Sequence, residues 1–250
     1  MSVGSFEWGI QTSGLLGEED RAALIEQLVR AGQRLGAPPT LSGREDFGLE
    51  DITVPDSTFA ADALSLCRDV SEPWLVDHCV RTYLFAAALG MLSAVEFDPE
   101  VLYVAAVLHD LGITERYEVS SSDECFAIVG ARAALDFSLE RTTKESAQAV
   151  AEAISRHLNV DVALEEGQEP HLLSAAVTVD VAGLGAESLP PGFVRELLSR
   201  FPRGDTGREI AEVIRRQAHL HPDTRSGFLY RIGLADRALD NPLDRPTEQT

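Results

Sequence analysis

From Ser57 to about Leu239 the apolar residues recur at three- and four-residue intervals, the period of helices with one face turned inward. Four of these helices matter most. One spans about Glu72–Leu89, with Ser71 as a cap and Pro73 in the first turn. Its inward stripe holds Leu75, Cys79, Thr82, Phe85, Ala86 and Leu89. A second spans Pro99 to about Leu111, capped by Asp98 and ended by Gly112. It is apolar nearly all round from Val101 to Leu108, which predicts a central position. A third runs from Thr143 to about Leu158 behind a capping box of Thr142 and Glu145. A fourth runs from near Pro170 to Gly183. Helices near Pro191–Phe201, Thr206–Leu220 and Arg225–Leu239 complete the shell. Two-residue alternation is confined to a short run at Ile52–Val54. Residues 1–55 read as an irregular extension holding one helix, Glu18–Arg34, and a Gly-, Pro- and acid-rich connector from Gly36 to Pro55. Residues 161–170 predict a solvated acidic loop. The expected architecture is all-α, with an N-terminal extension over residues 1–55 and a helical domain with C-terminal helices over 56–240.

Several polar residues interrupt these apolar faces. His78 lies on the stripe of Thr82 and Phe85, and His109-Asp110 ends the helix that is apolar on most sides. His157 shares the stripe of Val150 and Ile154, and Asp180 sits inside the apolar run Ala175–Ala182. Burying such groups costs several kcal/mol unless they are paired or coordinated. Each taken singly has a plainer role: a core histidine bonded to a carbonyl, or an aspartate capping a neighbour. Together, three imidazoles and two carboxylates on the inward faces of four successive helices form a donor set for Zn2+, Fe2+ or Mn2+. His171, nine residues before Asp180, is expected to face away from it, and His219 and His221 flank a helix end as surface residues.

Composition narrows the partners. The 250-residue chain carries 41 acidic and 21 basic side chains, a formal charge of −20, with Lys144 as its single lysine. Such a surface offers no cation field for nucleic acid or an anionic membrane, so neither is an expected partner. No apolar run is read as a membrane helix, and Met1–Phe6 lacks a basic stretch before an apolar one. With three widely spaced cysteines, Cys67, Cys79 and Cys125, read as reduced thiols, a cytoplasmic protein is expected. The oligomeric state, a homo-oligomer included, is left open.

The order His78, His109-Asp110 within Val107–Gly112, then Asp180 resembles the H…HD…D signature of the HD-domain metal-dependent phosphohydrolase superfamily. The surroundings are similar to its cyanamide hydratase-like branch: Asp77–Phe85, Leu108–Ile113, Arg116–Val119, Ala153–His157, Val179–Gly183 and Phe201–Arg203. The resemblance covers roughly residues 55–237. It implies an HD-domain helical bundle in which His78, His109, Asp110 and Asp180 hold a metal, with His157 near the metal or its water. The chain departs from the branch at Asp77 and Cys79, beside His78, at Tyr117, and at Ser120–Asp123. Oxygenases of the superfamily use two irons and further ligands, and His157 alone is placed to serve as one. A single divalent transition metal is therefore expected, Zn2+ first, with Fe2+ or Mn2+ as alternatives.

Such a site activates water and polarises a substrate. The expected function is a metal-dependent hydratase or hydrolase acting on a small molecule, a nitrile such as cyanamide giving urea. The alternatives are phosphohydrolysis of a nucleotide or phosphomonoester, and a non-catalytic helical regulatory or interaction domain. His157 is the candidate proton relay and Asp110 the orienter of the water. Arg81, three residues from His78, and Arg116, just after the His-Asp helix, are the candidates to meet a charged substrate.

Overall fold

The computed structural model describes residues 1–35, 46–118 and 124–245. The parts of the connector at 36–45, and Val119 with Ser120–Asp123, lie outside the described residues. Twelve α-helices are present among those described: α1 (Phe6–Thr12), α2 (Glu18–Leu35), α3 (Thr58–Val70), α4 (Pro73–Leu92), α5 (Pro99–Leu108), α6 (Phe126–Leu139), α7 (Lys144–Arg156), α8 (Gln168–Ala182), α9 (Pro191–Arg200), α10 (Thr206–Leu220), α11 (Arg225–Arg231) and α12 (Leu234–Leu239). The all-α expectation holds. The Ile52–Val54 run forms no strand; the chain there leaves a 3-10 turn at Leu49–Asp51, and an isolated bridge pairs Leu15 with Thr224.

α5 is the axis of the fold. Pro99 opens it where no backbone N–H is needed, Asp98 accepts hydrogen bonds from the N–H groups of Glu100 and Val101, and every residue from Val101 to Leu108 is buried. It is surrounded by α3, α4, α6, α7 and α8. α4 is long and apolar enough to cross a membrane by length and composition, contrary to the sequence reading. Most of its residues are buried within the protein, as in a core helix. Its N-cap is Glu72 rather than Ser71, without a side-chain cap bond.

Three sequence expectations shift. α7 is capped by Thr143, whose Oγ1 accepts from the Ser146 N–H at 3.1 Å, so the box expected at Thr142 and Glu145 moves by one residue. The helix expected over Arg225–Leu239 is two helices, broken where Gly233 adopts φ 89°, a left-handed conformation that glycine takes without steric cost. The N-terminal extension also holds more structure than expected. α1 was not anticipated, and its Trp8 joins Val3, Leu16, Leu24, Phe228 and Leu229 in a second apolar cluster. Phe47, Leu49 and Ile52 are buried in the main core, with the Phe47 ring 5.4 Å from that of Phe193. The loop over 161–170 is not wholly solvated, since Asp161 and Val162 are buried and Leu164–Glu166 form a 3-10 turn. His221, expected at the surface, is buried at the end of α10, where its carbonyl accepts from the Thr224 hydroxyl.

Candidate metal centre

The geometry begins with the ends of two helices. α5 stops at Leu108, His109 occupies its C-cap, and the chain turns through a 3-10 segment at Leu111–Ile113. That turn packs directly on α6. A methyl group at Gly112 would collide with the Phe126 carbonyl, so only glycine permits the approach. The turn aims His109 and Asp110 at His78, which projects from the second turn of α4. His157, the C-cap of α7, completes the group.

Each imidazole is held by its Nδ1. His109 Nδ1 donates to the Ala106 carbonyl at 2.7 Å, and His157 Nδ1 donates to the Ile154 carbonyl at 2.6 Å. His78 Nδ1 donates to Asp180 Oδ2 at 2.6 Å. In the neutral rings all three Nε2 atoms therefore carry lone pairs. Those of His78 and His109 face each other at 3.2 Å. Asp110 Oδ2 lies 3.3 Å from His109 Nε2 and 3.6 Å from His78 Nε2, while Asp110 Oδ1 lies 3.8 Å from His157 Nε2. Acceptors facing acceptors in a buried space call for a cation, either a proton held on His109 Nε2 or a metal ion in its place. Ligand atoms at roughly 2.0–2.2 Å from a common ion stand about this far apart from one another. The candidate ligand triad among the described residues is His78, His109 and Asp110. Its Nδ1 anchoring is the arrangement that fixes the tautomer of a metal-binding histidine.

Charge follows the same geometry. Burial depresses the pKa of His78, with Asp180 partly opposing it, and depresses that of His157 to about 3, aided by His109. Burial acts downward on His109 too, but the adjacent Asp110 carboxylate outweighs it and the pKa is raised. For Asp110 burial acts upward, and the imidazoles, His109 above all, outweigh it and hold the carboxyl well below its ordinary range.

Asp180 meets His78 on its Nδ1 side. Its Oδ1 accepts from Arg81 Nε (2.8 Å) and Arg203 Nη1 (3.1 Å), and its Oδ2 from His78 Nδ1 (2.6 Å) and Arg81 Nη2 (3.0 Å). Four bonds fill the roughly four acceptor positions of a carboxylate. Burial would raise the Asp180 pKa, but Arg81 and His78 keep it far below the ordinary carboxylate value. In this arrangement Asp180 stands behind His78 and orients it.

The arginines are a correction. Arg81 is fully buried, and beyond its bonds to Asp180 it donates to the carbonyls of Phe201 and Pro202 and to Thr206 Oγ1. All its donors are spent inside the protein, so it cannot meet a substrate. Arg116 is exposed, its guanidinium lies 5.4 Å from the centre of the Tyr117 ring, and it does not line the cavity described next. Arg203 and Asn241 donate to the Asp180 backbone carbonyl; Arg203 was marked only by the Phe201–Arg203 stretch of the resemblance, and Asn241 by nothing in the sequence.

His78, His109, Asp110 and His157 all line a cavity of about 510 Å3. Phe126 and Ile113 line it as well, with the Phe126 ring 5.8 Å from that of His157. His171 also lines the cavity, with Nδ1 bonded to the Val162 carbonyl at 2.6 Å. Cys79 lies behind His109, its sulfur 3.9 Å from Nδ1, outside the cavity wall.

Comparison with known proteins agrees with this geometry. Two proteins of Saccharomyces cerevisiae, Cyanamide hydratase DDI2 and Cyanamide hydratase DDI3, are each 26% identical to the chain over 140 residues. The match covers 54% of this chain and 61% of the length of each relative. The HD domain family matches residues 75–182, the segment from α4 to the end of α8 that holds His78, His109, Asp110, His157 and Asp180. That segment is similar to HD domains, and it carries the buried His-His-Asp cluster, an arrangement consistent with a metal-dependent hydrolytic site.

Proposed function

We propose that the protein is a metal-dependent hydratase or hydrolase that adds water to a small uncharged molecule, with a nitrile-type carbon as its target. The observation that supports this is the convergence of three imidazole lone pairs and one carboxylate in the wall of a cavity with little positive charge. The lining includes one arginine, Arg237, which is exposed, and no lysine. A dianionic phosphate ester would need cations beside the cluster; Arg81 is committed inside the protein and Arg116 is not part of the cavity lining.

His78, His109 and Asp110 would hold the ion, with Asp180 keeping the His78 ring in place. Zn2+ suits two imidazoles and a carboxylate, and Fe2+ and Mn2+ are the alternatives. A bound divalent ion supplies a Lewis acid and makes water a stronger nucleophile near neutral pH. His157 then has a defined task. Its Nδ1 is committed to Ile154, so the free Nε2, neutral in the resting site, takes the proton of the attacking water only in passing, with Asp110 Oδ1 at 3.8 Å to offset the charge. The water oxygen bonds to the nitrile carbon, one C–N π bond breaks, and His157 returns the proton to the nitrogen; the imidic acid so formed then shifts its O–H proton to the same nitrogen, giving the amide. Asp110 Oδ1, on the His157 side, accepts a hydrogen bond from the same water and aims it. With cyanamide the product would be urea. A cytoplasmic setting, in which Cys67, Cys79 and Cys125 would stay reduced, is part of this proposal.

The test is turnover of metal-loaded protein on cyanamide, small nitriles, nucleotides and phosphomonoesters. Amide or urea formation is expected. Phosphate release without amide formation would replace this reading with phosphohydrolysis.

A further inference from the structure

We infer that the substrate of this site carries an apolar body, the size of a medium alkyl chain or a small ring system, behind the polar group that meets the cluster. This rests on the water-adding site proposed above and specifies what enters it.

Size is the first argument. The cavity of about 510 Å3 falls within the roughly 300–1,000 Å3 of sites for drug-sized ligands. At about 30 Å3 per water it has room for roughly 17 waters. Cyanamide, a molecule of a few atoms, would leave most of it filled with solvent and the attacking water unprotected.

The walls are the second argument. Beyond Phe126 and Leu158 at the cluster, the lining includes Leu172, Val179, Ile214 and Leu229. Polar residues of the wall are largely committed to the protein. Asn159 donates to the Val3 carbonyl and accepts from Arg225, Ser174 donates to the Asn159 carbonyl, and Thr178 donates to the Ser174 carbonyl. Ser226 keeps an unpartnered hydroxyl and offers a polar contact. A sugar or nucleotide would lose its hydration against such walls without regaining its hydrogen bonds, whereas a hydrocarbon gains from the same transfer.

The experiment uses the full metal-loaded chain and two series of straight-chain probes, from ethyl to octyl. Alkyl hydroxamates, whose head group binds metals, report affinity by calorimetry, and alkyl nitriles report kcat/KM. Hydroxamate affinity is expected to rise by roughly fourfold per methylene until the cavity is full. In Ile214→Trp, which narrows the cavity, the octyl-to-ethyl affinity ratio is expected to drop at least tenfold. A flat hydroxamate series, or an unchanged ratio in Ile214→Trp, would overturn the inference. If affinity climbs with chain length but no nitrile is hydrated, the apolar-substrate inference stands and the hydratase reading fails. If short nitriles are hydrated while affinity is flat, the hydratase reading stands and this inference fails.

Discussion

His78 and His109 present their Nε2 atoms to each other at 3.2 Å, and each ring is fixed in that orientation by a hydrogen bond on its other nitrogen. Two neutral imidazoles so placed repel each other, and an ion between them turns that repulsion into coordination. His109→Ala is therefore expected to lose stoichiometric metal and activity together and to melt below the parent protein, because bound metal contributes folding free energy. Metal content and Tm measured on one preparation check this. A variant that keeps one ion per chain would remove His109 from the ligand set.

Asp180→Asn tests the carboxylate behind His78. The amide keeps the shape but weakens the hold on Nδ1 and leaves Arg81 and Arg203 without their shared anion. Apparent metal affinity, measured by competition with a chelator, is expected to fall by about 10–100-fold while the site still fills at saturating metal. A site that never fills would make Asp180 a direct ligand, as the sequence motif implies. Unchanged affinity would exclude it from the site.

His157→Gln separates proton transfer from metal binding. Loss of the base is expected to lower kcat by roughly 10²–10⁴-fold with the metal retained. The same variant carries a pH signature in the presence of chelator. Burial holds His157 at about 3 in the folded protein against 6.5 ordinarily, so below pH 6.5 the unfolded chain binds a proton that the folded one refuses. Its neutral, buried state thus costs no stability above pH 6.5, and stability is lost as the pH falls from there toward 3. His109, whose pKa is raised, has the opposite sign and loses its contribution above 6.5. Tm of the parent is expected to decline more steeply than that of His157→Gln between pH 6.5 and 4. Equal slopes would contradict this account of the His157 environment.

Gly112→Ala probes the turn that aims His109 and Asp110. The added methyl meets the Phe126 backbone carbonyl, a contact that no rotamer relieves. Overpacking of this kind costs about 1–3 kcal/mol, and the same shift moves both side chains away from His78. Denaturant unfolding should show the loss of stability, and chelator competition a weaker metal site. A variant as stable as the parent would mean that the turn tolerates displacement from α6.

Much of the site was legible because burial is written in periodicity. His78, His109, Asp110 and His157 stand on apolar stripes, and the structure brings all four to the wall of one cavity. The roles of Arg81 and Asp180 were not legible. They depend on partners 99 residues apart that meet only in three dimensions, and on which carboxylate lone pairs remain free after Arg203 has taken its share. A guanidinium one turn from a ligand looks the same in sequence whether it faces substrate or braces a carboxylate. Helix boundaries followed local chemistry where it was unambiguous, as in Thr206–Leu220. They slipped by a residue at Thr142 and Thr143, where two adjacent threonines could cap. The cavity had no sequence signal, because its walls are ordinary apolar helix faces whose partners stand apart.

The central claim is that the cluster at His78, His109 and Asp110 holds one divalent cation. Elemental analysis of the protein purified without added metal tests it most directly, with Tm recorded before and after chelator. About one transition-metal ion per chain and a lower Tm in chelator are predicted. Protein that carries no metal, takes none up on incubation with Zn2+, Fe2+ or Mn2+, and melts unchanged in chelator would contradict it.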